Sequence, residues 1–208
     1  GDGSISRTVS DFAGDGTTLT GRTVRVESAD RRTVTVTTDA NGDGATDRLV
    51  GSVEAVDGSK TVIDTSTYAS GAVAAISVTV TSANGLLSTT TMDANGDLAN
   101  ETVVANSTVL NANGSRVQTV DVNNGDGSNR TLAVKTISDD GLVVSAQSDM
   151  DGDNLFDRTT NSTTMLNANG SVTETVESRA QNAALLSQVQ TTVSDDGLVA
   201  VTRSDADG

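Results

Sequence analysis

The segment SDDGLVVSAQSDMDGDNLFD, Ser138 to Asp157, joins two patterns that recur along the chain. Its first half, Ser138–Asp149, superimposes without gaps on SADRRTVTVTTD (Ser28–Asp39), SANGLLSTTTMD (Ser82–Asp93) and SDDGLVAVTRSD (Ser194–Asp205). Each copy opens on Ser, passes through a turn, and closes on Asp after a short run of strand-forming residues. Successive copies start 54, 56 and 56 residues apart. A second landmark, LNANGS, stands at Leu110–Ser115 and again at Leu166–Ser171. Repetition of whole segments at one period marks a repeat architecture. The chain divides into a partial repeat (1–27), repeats 28–81, 82–137 and 138–193, and a partial repeat (194–208).

Within a repeat the spacing predicts four short strands. In the copy from Ser82, a strand ends near Asp93 and a second runs from Thr102 to Leu110. Asn113-Gly114 is a hairpin turn. A third strand runs from Arg116 to Val122, Asn123–Asn129 loops, and a fourth runs from Thr131 to Ile137. Val34/Val36, Ile76/Val78/Val80 and Leu132/Val134 alternate with Thr, Ser or Lys at the period of two that a strand requires. Arg179–Leu186 is the one helix candidate. The expected fold is all-β: an elongated, filament- or stalk-like antiparallel tandem repeat of about four short strands per unit.

The second half of the opening segment carries the chemistry. DANGDGATD (Asp39–Asp47), DANGDLANE (Asp93–Glu101) and DMDGDNLFD (Asp149–Asp157) each follow the first strand of a repeat. Oxygen-bearing side chains fall at positions one, three, five and nine: Asp39, Asn41, Asp43, Asp47; Asp93, Asn95, Asp97, Glu101; Asp149, Asp151, Asp153, Asp157. A hard cation with six to eight oxygen ligands explains that spacing, and a backbone carbonyl at position seven (Ala45, Ala99, Leu155) completes the shell. Glycine at position four or six permits the turn. Ca2+ is favoured over Mg2+ because a flexible, nearly all-protein cage suits the larger ion. A fourth loop is split between the chain's ends: Asp205 and Asp207 supply its start and Asp2 its fifth position. This pattern expects a head-to-tail junction with a neighbouring copy or with the next part of a longer chain.

The loop with its preceding strand resembles the calcium hairpin of integrin-type FG-GAP repeats. The recurrence of SDDGL, DxDGD and LNANGS across essentially the whole chain is similar to the tandem repeats of giant secreted bacterial proteins of the RTX-adhesin kind. The FG and GAP signatures and the glycine-rich RTX nonapeptide are absent. The resemblance implies calcium-dependent folding outside the bacterial cell or at its surface, in adhesion or matrix roles.

Composition narrows the alternatives. The 208 residues carry 28 acidic against 13 basic groups, a net charge of −15, with no Cys, His or Pro. Absence of Cys excludes a disulfide scaffold and thiol catalysis. It also suits secretion of an unfolded chain through a narrow channel. Absence of His removes the commonest general base. The acidic balance argues against nucleic acid as a partner, and apolar runs of only a few residues argue against membrane insertion. The carboxylate pairs Asp139/Asp140 and Asp195/Asp196 sit in turns without aromatic platforms, so no enzyme is expected. Six sequons, at Asn100, Asn106, Asn113, Asn129, Asn161 and Asn169, admit glycans. The expected role is structural: a calcium-stapled extracellular fibre, stalk or matrix component. The alternative is a ligand-binding adhesin module of a giant secreted protein.

Overall fold

The computed structural model describes residues 2–207. Before the first complete repeat lie β1 (Ile5–Phe12) and β2 (Leu19–Glu27). Residues 28–81 hold β3 (Thr33–Asp39), β4 (Arg48–Glu54), β5 (Lys60–Thr67) and β6 (Val73–Thr81). Residues 82–137 hold β7 (Leu87–Asp93), β8 (Thr102–Leu110), β9 (Arg116–Asn124) and β10 (Asn129–Ile137). Residues 138–193 hold β11 (Val143–Asp149), β12 (Arg158–Leu166), β13 (Val172–Ala180) and β14 (Leu185–Val193), and β15 (Ala200–Asp205) follows. There is no helix among the described residues. The fold is all-β and repeating, four strands to the repeat, and from β1 to β7 and again from β9 to β15 strands adjacent in the chain are hydrogen-bonded neighbours. These pairings are antiparallel, such as Val24↔Thr37 and Val134↔Gln147. That is the expected outcome where every connection is a short turn.

Two compact units are present. One runs through Ala105 and takes in Asn124–Gly127; the other comprises Asn106–Asn123 and the chain from Ser128 onward. In the first, successive registers Thr37↔Leu49, Leu49↔Thr65, Thr65↔Ile76 and Ile76↔Asp93 carry one face from β3 to β7. Asp39 lies two residues from Thr37, so Asp39 and Asp93 share that face. In the second, Gln147↔Thr159, Thr159↔Arg179 and then Glu177↔Gln188, Gln188↔Asp205 place Asp149 and Asp205 on one face in the same way.

The helix candidate at Arg179–Leu186 is corrected. Arg179 and Ala180 end β13, and Leu185 and Leu186 begin β14. Between them Ala180 N–H donates to Ala184 O at 2.9 Å, Ala183 N–H donates to Ala180 O at 2.9 Å, and Ala183 turns to φ 65°. Alanine propensity loses here to strand pairing on both sides. Beyond this, β9 runs on to Asn124 and β10 starts at Asn129 because Asn123 pairs with Asn129, which shortens the expected loop.

No apolar side chain among the described residues is buried. Apart from Gly21, the buried residues are Asp39, Asp93, Asp149, Ser171, Thr173 and Ser178, all polar. Val, Leu and Ile rows therefore stay half-exposed, and cohesion comes from backbone ladders and cross-strand pairs. Threonine hydroxyls meet across strands at 2.9 Å (Thr79 and Thr90) and 3.0 Å (Thr173 and Thr192). Arg48 Nε donates to Asp64 Oδ1 at 2.8 Å on the neighbouring strand, and a second bond joins Arg48 Nη2 to Asp64 Oδ2. The register-equivalent Arg158 instead donates to the Ser178 hydroxyl at 2.7 Å.

A sheet without an apolar core tolerates truncation of its large side chains. Ile63 is 45% exposed, so Ile63→Ala should cost less than the roughly 2 kcal/mol that begins the range for buried isoleucines. The urea midpoint measures this, and a larger loss would show that Ile63 is packed in solution.

Candidate metal centre

Each acidic loop begins where a strand ends, and the same backbone path is built in all three. The position-one carboxylate turns back into the loop and collects its amides. Asp39 accepts from Gly42 N–H at 2.6 Å and Gly44 N–H at 2.9 Å. Asp93 accepts from Asn95 (3.1 Å), Gly96 (2.6 Å) and Leu98 (2.8 Å). Asp149 accepts from Asp151 (3.2 Å), Gly152 (2.7 Å) and Asn154 (2.9 Å). Position three accepts from position five, and position five from position seven, as with Asn95 and Asp97 N–H at 2.9 Å and Asp97 and Ala99 N–H at 2.8 Å. Position nine closes the loop onto position two: Asp47 to Ala40 at 2.7 Å, Glu101 to Ala94 at 2.6 Å, Asp157 to Met150 at 2.7 Å.

These bonds set the charge state. Burial raises the Asp93 pKa, but the amides of Leu98, Gly96 and Asn95 outweigh it and hold the carboxyl below its ordinary range. Asp39 behaves alike: burial pushes up, and the amides of Gly44, Gly42 and Asn41 bring it down further. Both are held as carboxylates by the fold itself.

The loops differ in what they gather. Oxygens of Asp93, Asp97 and Glu101 lie within 4.8 Å of one another, and so do those of Asp149, Asp151 and Asp153. Glu101, one methylene longer than the aspartate at that position elsewhere, joins its cluster, whereas Asp157 stays outside its own. Among the described residues Asp39, Asp43 and Asp47 do not form such a group. Asn41 and Asn95 place an amide at position three; Asn95 Nδ2 donates to Asp97 Oδ2 at 3.3 Å. Ala45, Ala99 and Leu155 stand at position seven as expected, their N–H groups held by Asp43, Asp97 and Asp153.

The split loop meets the sheet at its two ends. Asp2 Oδ1 accepts from Ser4 N–H at 3.0 Å and Ser4 Oγ at 2.7 Å, just before β1. Asp205 Oδ1 accepts from Asp207 N–H at 3.3 Å, just after β15. The Gly1–Gly208 overlay falls on residues outside the described range.

Three features escaped the sequence. Position six is left-handed in every loop, by Gly44 (φ 85°), Leu98 (φ 70°) and Asn154 (φ 67°), so two loops hold a side chain there. Position four is tight as well as left-handed. A Cβ on Gly42, Gly96 or Gly152 would stand 2.1, 2.2 or 2.4 Å from the backbone oxygen of Leu19, Val73 or Asn129. Asn129 itself is the third: its Nδ2 donates to Asp149 Oδ2 at 3.3 Å and Asn154 Oδ1 at 3.2 Å, while its Oδ1 is buried without a partner. Where other repeats have Leu19 or Val73, this one has an amide beside the loop. Comparison of the repeats at that position was the available signal.

The residues fit a hard cation. They offer carboxylate and amide oxygens only, clustered like charges that a dication would neutralise, and one buried oxygen without a donor.

Steric closeness at position four is separable from backbone strain. Gly71 is also left-handed (φ 81°) but a Cβ there meets nothing within 4 Å. Gly71→Ala should cost about 1–3 kcal/mol for conformation alone. Gly96→Ala should cost more, because the Val73 carbonyl must also move. Equal urea midpoints for the two variants would contradict the packing of this loop against β6.

No protein-family model matches the chain, and no curated protein matches it.

Proposed function

We propose that the chain is a calcium-stapled structural repeat protein, working outside the bacterial cell or at its surface as part of a fibre, stalk or matrix. One observation carries this reading. In a sheet that buries no apolar side chain, the buried acids Asp93 and Asp149 each head a cluster of three carboxylates within 4.8 Å. Burying acids where a core would sit is costly unless a counter-charge is part of the fold.

The residues that would hold the ion are Asp93, Asp97 and Glu101 in one loop and Asp149, Asp151 and Asp153 in the other. Asn129 Oδ1 is an extra oxygen beside the second. Bound calcium would neutralise the clusters and tie each loop to the strands it joins, adding folding free energy that the sheet lacks. With free calcium a hundredfold above Kd, one site contributes about 2.7 kcal/mol by mass action. Identification of the ion as calcium rests on the all-oxygen donor set and on the resemblance to FG-GAP hairpins and RTX-adhesin repeats. The partners in this proposal are copies of the same repeat, joined head to tail, with Asp205, Asp207 and Asp2 contributing to the junction.

The alternative, a ligand-binding module, draws on one feature of the second unit. An open trough of about 480 Å³ is lined there by Val120, Ala133 and Ala146 with Lys135 and Arg158. Two cations beside a small apolar floor suit an anionic ligand.

Circular dichroism and terbium or calcium titration test the metal. Chelation should remove much of the β signal, and calcium at about 1 mM, the range of extracellular calcium modules, should restore it. Both clusters bring together three carboxylates, but the loop Asp149–Asp157 has the unpartnered Asn129 Oδ1 beside it and should bind more tightly than Asp93–Glu101. Asp153→Ala should therefore lower affinity and stability more than Asp139→Ala in a neighbouring turn. Spectra unmoved by excess chelator, with no ion taken up, would end the stapled-repeat reading.

A further inference from the structure

Two of the acidic loops contain the dipeptide Asn-Gly at positions three and four, Asn41-Gly42 and Asn95-Gly96, whereas the third has Asp151-Gly152. Asn-Gly is the dipeptide most open to deamidation, because glycine has no side chain to hinder attack by its own nitrogen. In that reaction the glycine amide loses its proton and its nitrogen attacks Cγ of the preceding Asn. The bond from Cγ to the side-chain nitrogen breaks and ammonia leaves. Water then opens the cyclic imide to aspartate or to isoaspartate. Nothing beyond water is consumed, and no redox change occurs.

The structure places both reacting groups under restraint. Gly42 N–H donates to Asp39 Oδ1 and Gly96 N–H to Asp93 Oδ1, each at 2.6 Å. A short bond to a carboxylate fixes the proton that must leave, and the negative charge beside the nitrogen opposes formation of a second anion. The electrophile is held as well. Asn41 Oδ1 accepts from Asp43 N–H and Asn95 Oδ1 from Asp97 N–H, both at 2.9 Å. The Asn-Gly pairs of the hairpin turns lack the charged acceptor. Gly114 donates to Asn111 O and Gly170 to Asn167 O, both at 3.0 Å, and Gly85 donates to Ser82 O at 2.9 Å.

We propose that Asn41 and Asn95 are modification sites whose deamidation is gated by the position-one carboxylate: closed while Asp39 and Asp93 hold the glycine amides, open when the loop opens. The aspartate product would give these loops acids at positions one, three, five and nine, the set that Asp149, Asp151, Asp153 and Asp157 already form. Isoaspartate would add a methylene to the backbone and break the loop path. The control of the gate by calcium rests on the cation reading above; the control by the carboxylate does not.

The test ages the full chain with excess calcium and with chelator, and follows the peptides around Asn41, Asn95 and Asn113 by mass spectrometry and isoaspartate detection. Asp93→Asn and Asp39→Asn are aged alongside. With calcium, Asn41 and Asn95 of the wild type should convert about tenfold more slowly than in chelator, the factor expected for opening one charge-assisted hydrogen bond. They should also convert more slowly than Asn113. In Asp93→Asn the faster loop site should be Asn95, and in Asp39→Asn it should be Asn41, each with the other as internal reference. That reciprocal preference without any calcium effect would keep the carboxylate gate and count against the cation. Loss of the preference, because Asn41 and Asn95 convert at equal rates in both variants, overturns the gate. So does wild-type conversion at Asn41 and Asn95 as fast as at Asn113 when calcium is bound.

Discussion

Everything in this sheet depends on an aspartate at the end of a strand that bonds the amides of the loop it begins. Asp39, Asp93 and Asp149 are buried while no valine, leucine or isoleucine is. A polar group is normally placed inside only after an apolar core has excluded water. Here the order is reversed: the carboxylate organises the loop first, with two or three amides per aspartate. Those amides would otherwise be turn donors with no acceptor. The loop is thereby fixed before any ion is considered, and its acids are brought together as a consequence.

That arrangement creates its own instability. The bonds that hold Asp93 ionised are the bonds that bring Asp97 and Glu101 close to it, so the better the loop is formed, the more negative charge it concentrates. An arginine could offset this, yet Arg25, Arg31, Arg48 and Arg179 pair with other acids, Glu27, Asp64 and Glu177. A cation bound from solution would offset that charge, and its binding would then be linked to folding.

Much of the fold was legible because strand pairing and turn chemistry repeat together. Thr102–Leu110 and the strand ending at Asp93 follow from alternation and from the acidic loop that separates them. Arg179–Leu186 stands out as a helix candidate because three alanines and two leucines in a short run carry helix propensity, while the decisive facts, the partners of β13 and β14, lie outside the run. Leu98 and Asn154 were invisible for another reason. Position six needs a left-handed backbone, and sequence reasoning looks for glycine there, but the Asp93 and Asp149 bonds over-determine the loop strongly enough to impose φ 70° and 67° on side-chain-bearing residues. Asn129 is distant from its loop in sequence and adjacent only through the β10–β11 register.

The repeats also show how such a protein can vary without losing its fold. The same hydrogen bonds close the three loops, yet position three is Asn, Asn and Asp, position six is Gly, Leu and Asn, and position nine is Asp, Glu and Asp. Position five is aspartate throughout (Asp43, Asp97, Asp153), and two further constants set the loop shape: the aspartate at position one and the glycine at position four. The first supplies the acceptor for the loop amides, and the second allows the loop to lie against a neighbouring carbonyl where a Cβ has no room. Ligand strength is thus tuned at positions three and nine around a constant position five, and loop shape is held by the aspartate at position one and the glycine at position four. A chain with a thin apolar composition can therefore lengthen by repetition: each repeat brings its own means of closing its loop, and none relies on a shared interior.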